Sequence, residues 1–314
     1  CILNLALISS LFLSSFFEGN FGINLCVSVI IAGIINLILV FRSCQINGIT
    51  LNFLNLDYNK SSLDRSKKFL TKFLPIGIAS GVTQINLVVG RQISSLFDGA
   101  VVWLIYADRL AQLPVAIIGV ALNIVTLPKL TEFKNRKELD KINFYLNRSL
   151  QLSFLFSLPA CIGLILLNKE IVSAIFERGN FNLNDTKNTS IALAIYSLSI
   201  IPISFQMLFL NYYFAEKEIK IPFFYSIVSV FVNIILAYSF LNYFEYLSPA
   251  IAYSITNFML TFFLVIQTIK RGFFFDEIFK KISIYIIFSS IFMILILLMT
   301  KYFILDIMTL PYLK

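Results

Sequence analysis

Blocks of about twenty apolar residues, each long enough to cross a hydrocarbon core of roughly 30 Å, alternate with short polar stretches along this chain. The pattern predicts membrane spans over 1–17, 22–42, 73–97, 100–127, 149–167, 188–214, 222–243, 247–269 and 282–304. Backbone groups in lipid must be hydrogen-bonded internally, so these segments are expected to be helices. The alternating segments of about ten residues that a membrane barrel requires do not occur. The expected fold class is therefore all-α: a polytopic transmembrane bundle of about nine spans.

Charge orients the bundle. Arg42, Lys60, Arg65, Lys67, Lys68 and Lys72 lie in or beside the stretch 43–72. Lys129, Lys134, Arg136, Lys137, Lys141 and Arg148 lie in 129–148. Lys217 and Lys220 follow the sixth span, and Lys270, Arg271, Lys280 and Lys281 follow the eighth. These are eighteen of the 25 basic residues, all on alternate loops. The opposite loops hold only Lys169, Arg178, Lys187, Lys301 and Lys314. The positive-inside rule assigns the richer side to the cytoplasm.

Composition agrees with this reading and removes several functions. Of 314 residues 58% are hydrophobic and 13% charged, about half the charged fraction of an ordinary soluble domain. Loop placement explains the net charge of +8 without a nucleic-acid partner, and the loops show no aromatic–basic interleaving. Histidine is absent, which excludes His-based acid–base catalysis and His metal sites. Cys1, Cys26, Cys44 and Cys161 are widely spaced and form no CxxC pair, so they read as small buried hydrophobes. Neither a metal nor a cofactor is expected. The chain opens on apolar sequence at Cys1 without a basic signal-peptide start, which suggests the interior of a longer protein.

Two arginines and one acid fall inside spans. Arg109 lies nine residues into the fourth, roughly 13 Å deep at about 1.5 Å per residue, with Asp108 beside it. Arg91 lies in the outer third of the span 73–97. A charge at the bilayer centre costs about 3 kcal/mol or more, so it faces a partner or a wet cavity. Adjacent helical residues point about 100° apart, so an Asp108–Arg109 lock is poorly formed, and a cavity that holds an anion is the favoured reading for Arg109. Arg91 lines that cavity or snorkels outward. The same span carries Ser80, Thr83, Gln84, Asn86, Gln92, Ser94 and Ser95, too polar for a lipid-facing helix, so Gln84 and Asn86 are candidates to line the interior. Gly77 and Gly81 read as close helix packing. Pro75, Pro114, Pro159, Pro202 and Pro249 suit kinked helices but are common in membrane spans.

Three runs carry a family resemblance: YADRLAQLPVAIIGVALNIVTLPKL (106–130), LPACIGLILLNKEIVSAIFERGNF (158–181) and YFAEKEIKIP (213–222), preceded by TQINLVVGR (83–91). In order and spacing they resemble the MurJ (MviN) family of lipid II flippases, within the multidrug/oligosaccharidyl-lipid/polysaccharide exporter superfamily. The Phe-Glu-Arg-Gly-x-Phe turn at 176–181 is the most specific piece. The resemblance implies helices five to thirteen of a fourteen-helix fold. Residues 1–42 are then the last two helices of an N-terminal lobe, 43–72 a basic cytoplasmic loop, 73–269 a six-helix C-terminal lobe, and 270–314 a further helix and tail. It implies that Arg109 contacts the pyrophosphate of lipid II during alternating access across the bacterial cytoplasmic membrane, with Arg91, Asp108, Gln84 and Asn86 as further substrate-binding candidates. A segment lacking the first four helices is not expected to translocate lipid alone. Some members hold sodium through an aspartate in the seventh helix. Here that position is Gly90, followed by Arg91, and Ala237 stands four residues beyond Asn233, so no sodium site is expected. The alternatives are export of another polyprenyl-pyrophosphate oligosaccharide or of drugs, or an inactive remnant. An enzyme is disfavoured because its acids are scattered and histidine is absent.

Overall fold

The computed structural model describes residues 2–14, 21–48, 64, 67, 88–218 and 220–309. All regular structure among them is helical. The chain divides into two units, Cys1–Leu70 and Thr71–Lys314. In the first, α1 (Ile2–Ser14) packs beside α2 (Phe21–Ile46), and Ser10 Oγ donates to the Asn24 carbonyl at 3.0 Å. Most of the large apolar side chains of α2 are exposed, as suits a helix surrounded by lipid or further helices.

The second unit opens with α3 (88–94) and continues through α4 (Ala100–Pro114), α5 (Ala121–Asn135), α6 (Leu139–Leu166), α7 (Asn168–Phe176) and α8 (Leu183–Ser197). It is completed by α9 (Ile200–Ala215), α10 (Lys220–Phe244), α11 (Ser248–Lys270) and α12 (Glu277–Thr309). Six stretches among the described residues are long and apolar enough to cross a membrane. One of them, Lys220–Lys270, contains two helices, because the chain turns at Glu245–Leu247 and α10 packs along α11. Most of the expected span 73–97, with Gln84 and Asn86, lies outside the described residues, as does the 77–81 glycine pair.

α4 and α5 form one rod interrupted by a π-helical segment, Val115–Val120. Its cause is Pro114, which has no N–H to donate one turn back and whose ring crowds that carbonyl. Gly119 sits in the widened segment against α9: a Cβ there would come within 2.9 Å of Met207 Sδ and 3.8 Å of Ser204 Cα. Gly119→Val is therefore expected to overpack this contact and cost about 1–3 kcal/mol, read as a lower thermal midpoint of the purified protein in detergent.

Burial in this unit inverts the pattern of a soluble protein. Large apolar side chains such as Phe231, Ile235, Phe288 and Met299 are exposed, while Ser153, Ser157, Thr189, Ser197 and Ser204 are buried. Lipid supplies no hydrophobic drive between helices, so small residues that permit close approach and interhelical hydrogen bonds take over. Thr126 and Ser149 join α5 to α6 at 2.9 Å. Ser254 Oγ donates to the Ile195 carbonyl at 2.8 Å, and Thr261 Oγ1 to the Pro202 carbonyl at 2.9 Å, tying α11 to α8 and α9.

The two ends of the unit are distinguished by their polar contacts. At one end Lys134 and Arg271 reach Glu216, and Arg148 reaches Asp276, at 2.6–2.8 Å. This gathers three of the basic loops that the positive-inside rule assigns to the cytoplasm. At the other end Trp103 bonds Asp185, Tyr246 bonds Asn188, and Lys301 pairs with Glu170. Among the described residues of this unit, loops sorted by charge are thus sorted in space.

Candidate functional site

Arg109 is exposed on α4, nine residues after the helix begins at Ala100, and its neighbour Asp108 is half-buried. Both line a cavity of about 110 Å³ in the second unit. α3 supplies Gly90, Arg91 and Ser94 to the same cavity, and α4 adds Gln112. The opposite wall comes from Tyr196 on α8, Asn233 on α10, and Pro249 and Tyr253 on α11. Three of the five residues expected to bind substrate therefore share one cavity. Gln84 and Asn86 lie outside the described residues.

Polar contacts within the cavity are uneven. The Asp108 carboxylate accepts a hydrogen bond from Gln112 Nε2, one turn along α4, and makes no ion pair with Arg109. Helical geometry explains this: positions 108 and 112 share a face, whereas 108 and 109 diverge. Among the described residues neither Arg91 nor Arg109 has a carboxylate within 4.0 Å. Among the described lining residues two guanidinium groups thus accompany one carboxylate, a net positive charge in a membrane-spanning bundle. Arginine's planar fork suits the paired oxygens of phosphate.

Tyr196 and Tyr253 were not apparent from the sequence as site residues. Their rings meet edge to face at 5.7 Å and form an aromatic wall of the cavity. Gln112 was also missed, although its spacing of four from Asp108 was a signal for a shared face. Asn233 is buried and its Nδ2 lies 3.5 Å from Thr256 Oγ1. Among the described residues a Cβ at Gly90 would meet only Pro249 Cβ, at 3.7 Å, an ordinary contact. Ala237 is buried against α3 and α11. Among the described residues no three His, Cys, Asp or Glu side chains are grouped to hold a metal ion.

Residues 1–313 match the family model for the lipid II flippase MurJ. The chain belongs to the MurJ family. A probable lipid II flippase MurJ of Rhizobium tropici is 33% identical over 74% of this chain and 43% of its own length. One from Buchnera aphidicola (subsp. Acyrthosiphon pisum) is 32% identical over 80% of this chain and 49% of its own length. This chain thus spans less than half of these curated MurJ relatives. A solved lipid II flippase MurJ in an inward closed conformation superposes with a TM-score of 0.77 at 26% identity, covering 95% of this chain and 60% of that one. MurJ membership and the six apolar stretches make this a multi-pass protein of the bacterial cytoplasmic membrane.

Proposed function

We propose that the protein carries lipid II, the polyprenyl-pyrophosphate-linked peptidoglycan precursor, from the inner to the outer leaflet by alternating access, as a transporter and not an enzyme. The observation that supports this most directly is Arg109: a guanidinium deep in a span, lining a cavity with Arg91 and lacking an ion partner among the described residues. A charge so placed is costly unless a cavity or an anion compensates it. Pyrophosphate supplies two adjacent anionic groups that two arginines can share. Tyr196, Tyr253 and Gln112 then shape the cavity, while Gln112 holds Asp108 aside so that its carboxylate does not neutralise Arg109. With Gly90 and Ala237 where carboxylates would serve a sodium ion, the membrane potential is the favoured driving force.

The product of the full reading frame, reconstituted into vesicles with inner-leaflet fluorescent lipid II, is expected to expose that lipid to an added outer-leaflet enzyme. A polyprenyl pyrophosphate bearing an unrelated oligosaccharide is expected to be exposed more slowly. Exposure no faster than in protein-free vesicles, or equal exposure of both lipids, would count against the assignment.

A further inference from the structure

A second pocket, of about 530 Å³, opens at the end of the unit opposite the basic loops. It is built where the start of α4 meets the turn between α7 and α8, around Phe-Glu-Arg-Gly-x-Phe. Tyr106 stacks on Phe176 with ring centroids 4.5 Å apart and an angle of 14°, and Phe181 lies 5.9 Å away on the same ring. The two phenylalanines of the motif therefore clasp α4 through Tyr106. Gly179, at φ +60°, lets the chain reverse between them. Gly99, at φ +79°, has Trp103 lying close over it: a Cβ would come within 2.9 Å of the indole.

Inside this frame the acids are occupied and the base is not. Asp185 accepts from Trp103 Nε1 at 2.8 Å and from the Asn182 backbone at 2.9 Å. Glu177 accepts from Thr186 Oγ1 at 2.9 Å, and hydrogen bonds from Ser173 and Thr186 hold its carboxyl below the ordinary range. Arg178, between them in the motif, is exposed, lines the pocket and has no carboxylate within 4.0 Å among the described residues. A tryptophan that only anchored the interface would turn its N–H towards lipid head groups. Here the N–H is directed into the protein, and the indole lines the pocket. Aromatic surfaces, an available guanidinium and the exposed Asn180 amide together suit a ligand with a sugar-like apolar face, amides and a carboxylate.

We propose that this outer pocket is a second binding site, separate from the Arg109 cavity, for a carboxylate-bearing N-acyl glycopeptide, with Arg178 on the carboxylate and Trp103 and Tyr106 beside the sugar. Its use as a receiving site for the head group of translocated lipid rests on the function proposed above, but the binding itself does not.

Trp103 is the sole tryptophan of the sequence, so its emission reports on this pocket. The protein in lipid nanodiscs, titrated with N-acetylmuramyl dipeptide, is expected to show a saturable change in emission. Arg178→Ala should weaken it about tenfold or more, as loss of a charge-assisted pair does, and Arg178→Lys by less. N-acetylglucosamine, which lacks the carboxylate, should bind at least about tenfold more weakly than the dipeptide. Unchanged emission of ligand-free Arg178→Ala establishes that the pocket is folded. No saturable response, equal affinity in Arg178→Ala, or a response lost in Arg109→Ala would overturn the site. Lipid transport that fails while this titration succeeds would remove the proposed function and leave the site standing.

Discussion

Arg109→Ala in the full-length protein is expected to abolish growth of a flippase-depleted strain while the variant still inserts into the membrane at normal levels. The two halves of this result follow from opposite terms. A mid-membrane arginine opposes insertion by about 3 kcal/mol, so its removal relieves a cost and leaves the helix intact. The side chain is exposed to its cavity and holds no ion pair among the described residues, so no partner charge is stranded. Pyrophosphate contact acts in the other direction. Two charge-assisted hydrogen bonds at about 1.5–3 kcal/mol each amount to roughly two orders of magnitude or more in the occupancy that translocation requires. Arg109→Lys keeps the charge and loses the fork, so partial growth is expected, between wild type and alanine. Asp108→Asn is expected to be milder than Arg109→Ala, since an amide at 108 can still pair with Gln112. Normal growth of Arg109→Ala, or loss of the protein from the membrane, would remove Arg109 from the role of anion ligand.

Whatever a one-dimensional pattern can hold is legible in this sequence. Hydrophobic blocks locate the helices because lipid leaves the backbone no alternative, and alternation of basic loops sorts the helix ends because translocation is asymmetric. Arg109 stands out for the same reason: a charge inside an apolar block is costly without a purpose. What the pattern does not hold is which helix faces which. Tyr196 and Tyr253 lie in different spans, and an aromatic residue inside a span reads equally well as lipid-facing. The clasp of Tyr106 by Phe176 and Phe181 joins residues some seventy positions apart, so the motif is visible as a string and its mechanical role is not. The π-helical segment after Pro114 is foreseeable only as a kink, since a proline alone does not say whether the helix bends or widens.

The basic residues that orient the bundle also stabilise it, and here Glu216→Gln is expected to loosen one end of the second unit. Glu216 Oε1 accepts from Lys134 Nζ at 2.6 Å and Oε2 from Arg271 Nη1 at 2.8 Å, so one carboxylate ties the end of α5 to the α9–α10 turn and the end of α11. Arg271 also lies 5.4 Å above the Tyr213 ring, and Tyr213 receives a hydrogen bond from Thr268 at 3.2 Å. Burial alone would raise the Glu216 carboxyl, but the hydrogen bonds and charges of Lys134 and Arg271 outweigh it and hold the group below the usual carboxylate range. Glu216 is only 14% exposed, whereas Lys134 and Arg271 are 35% and 27% exposed, so solvent screens part of the attraction. The neutral amide leaves two cations facing each other, and the expected loss is about 1–3 kcal/mol at neutral pH. A depressed folded pKa means that the carboxylate stabilises the native state above the unfolded value of about 4.3, and that this contribution fades as pH falls through the folded value. Thermal unfolding in detergent should therefore separate wild type from Glu216→Gln at pH 7 and bring them together in strong acid. Equal midpoints at neutral pH would mean that the three helix ends are held by packing around Tyr213 and Phe273 instead, and a gap that widened in acid would reverse the sign assigned to this carboxylate.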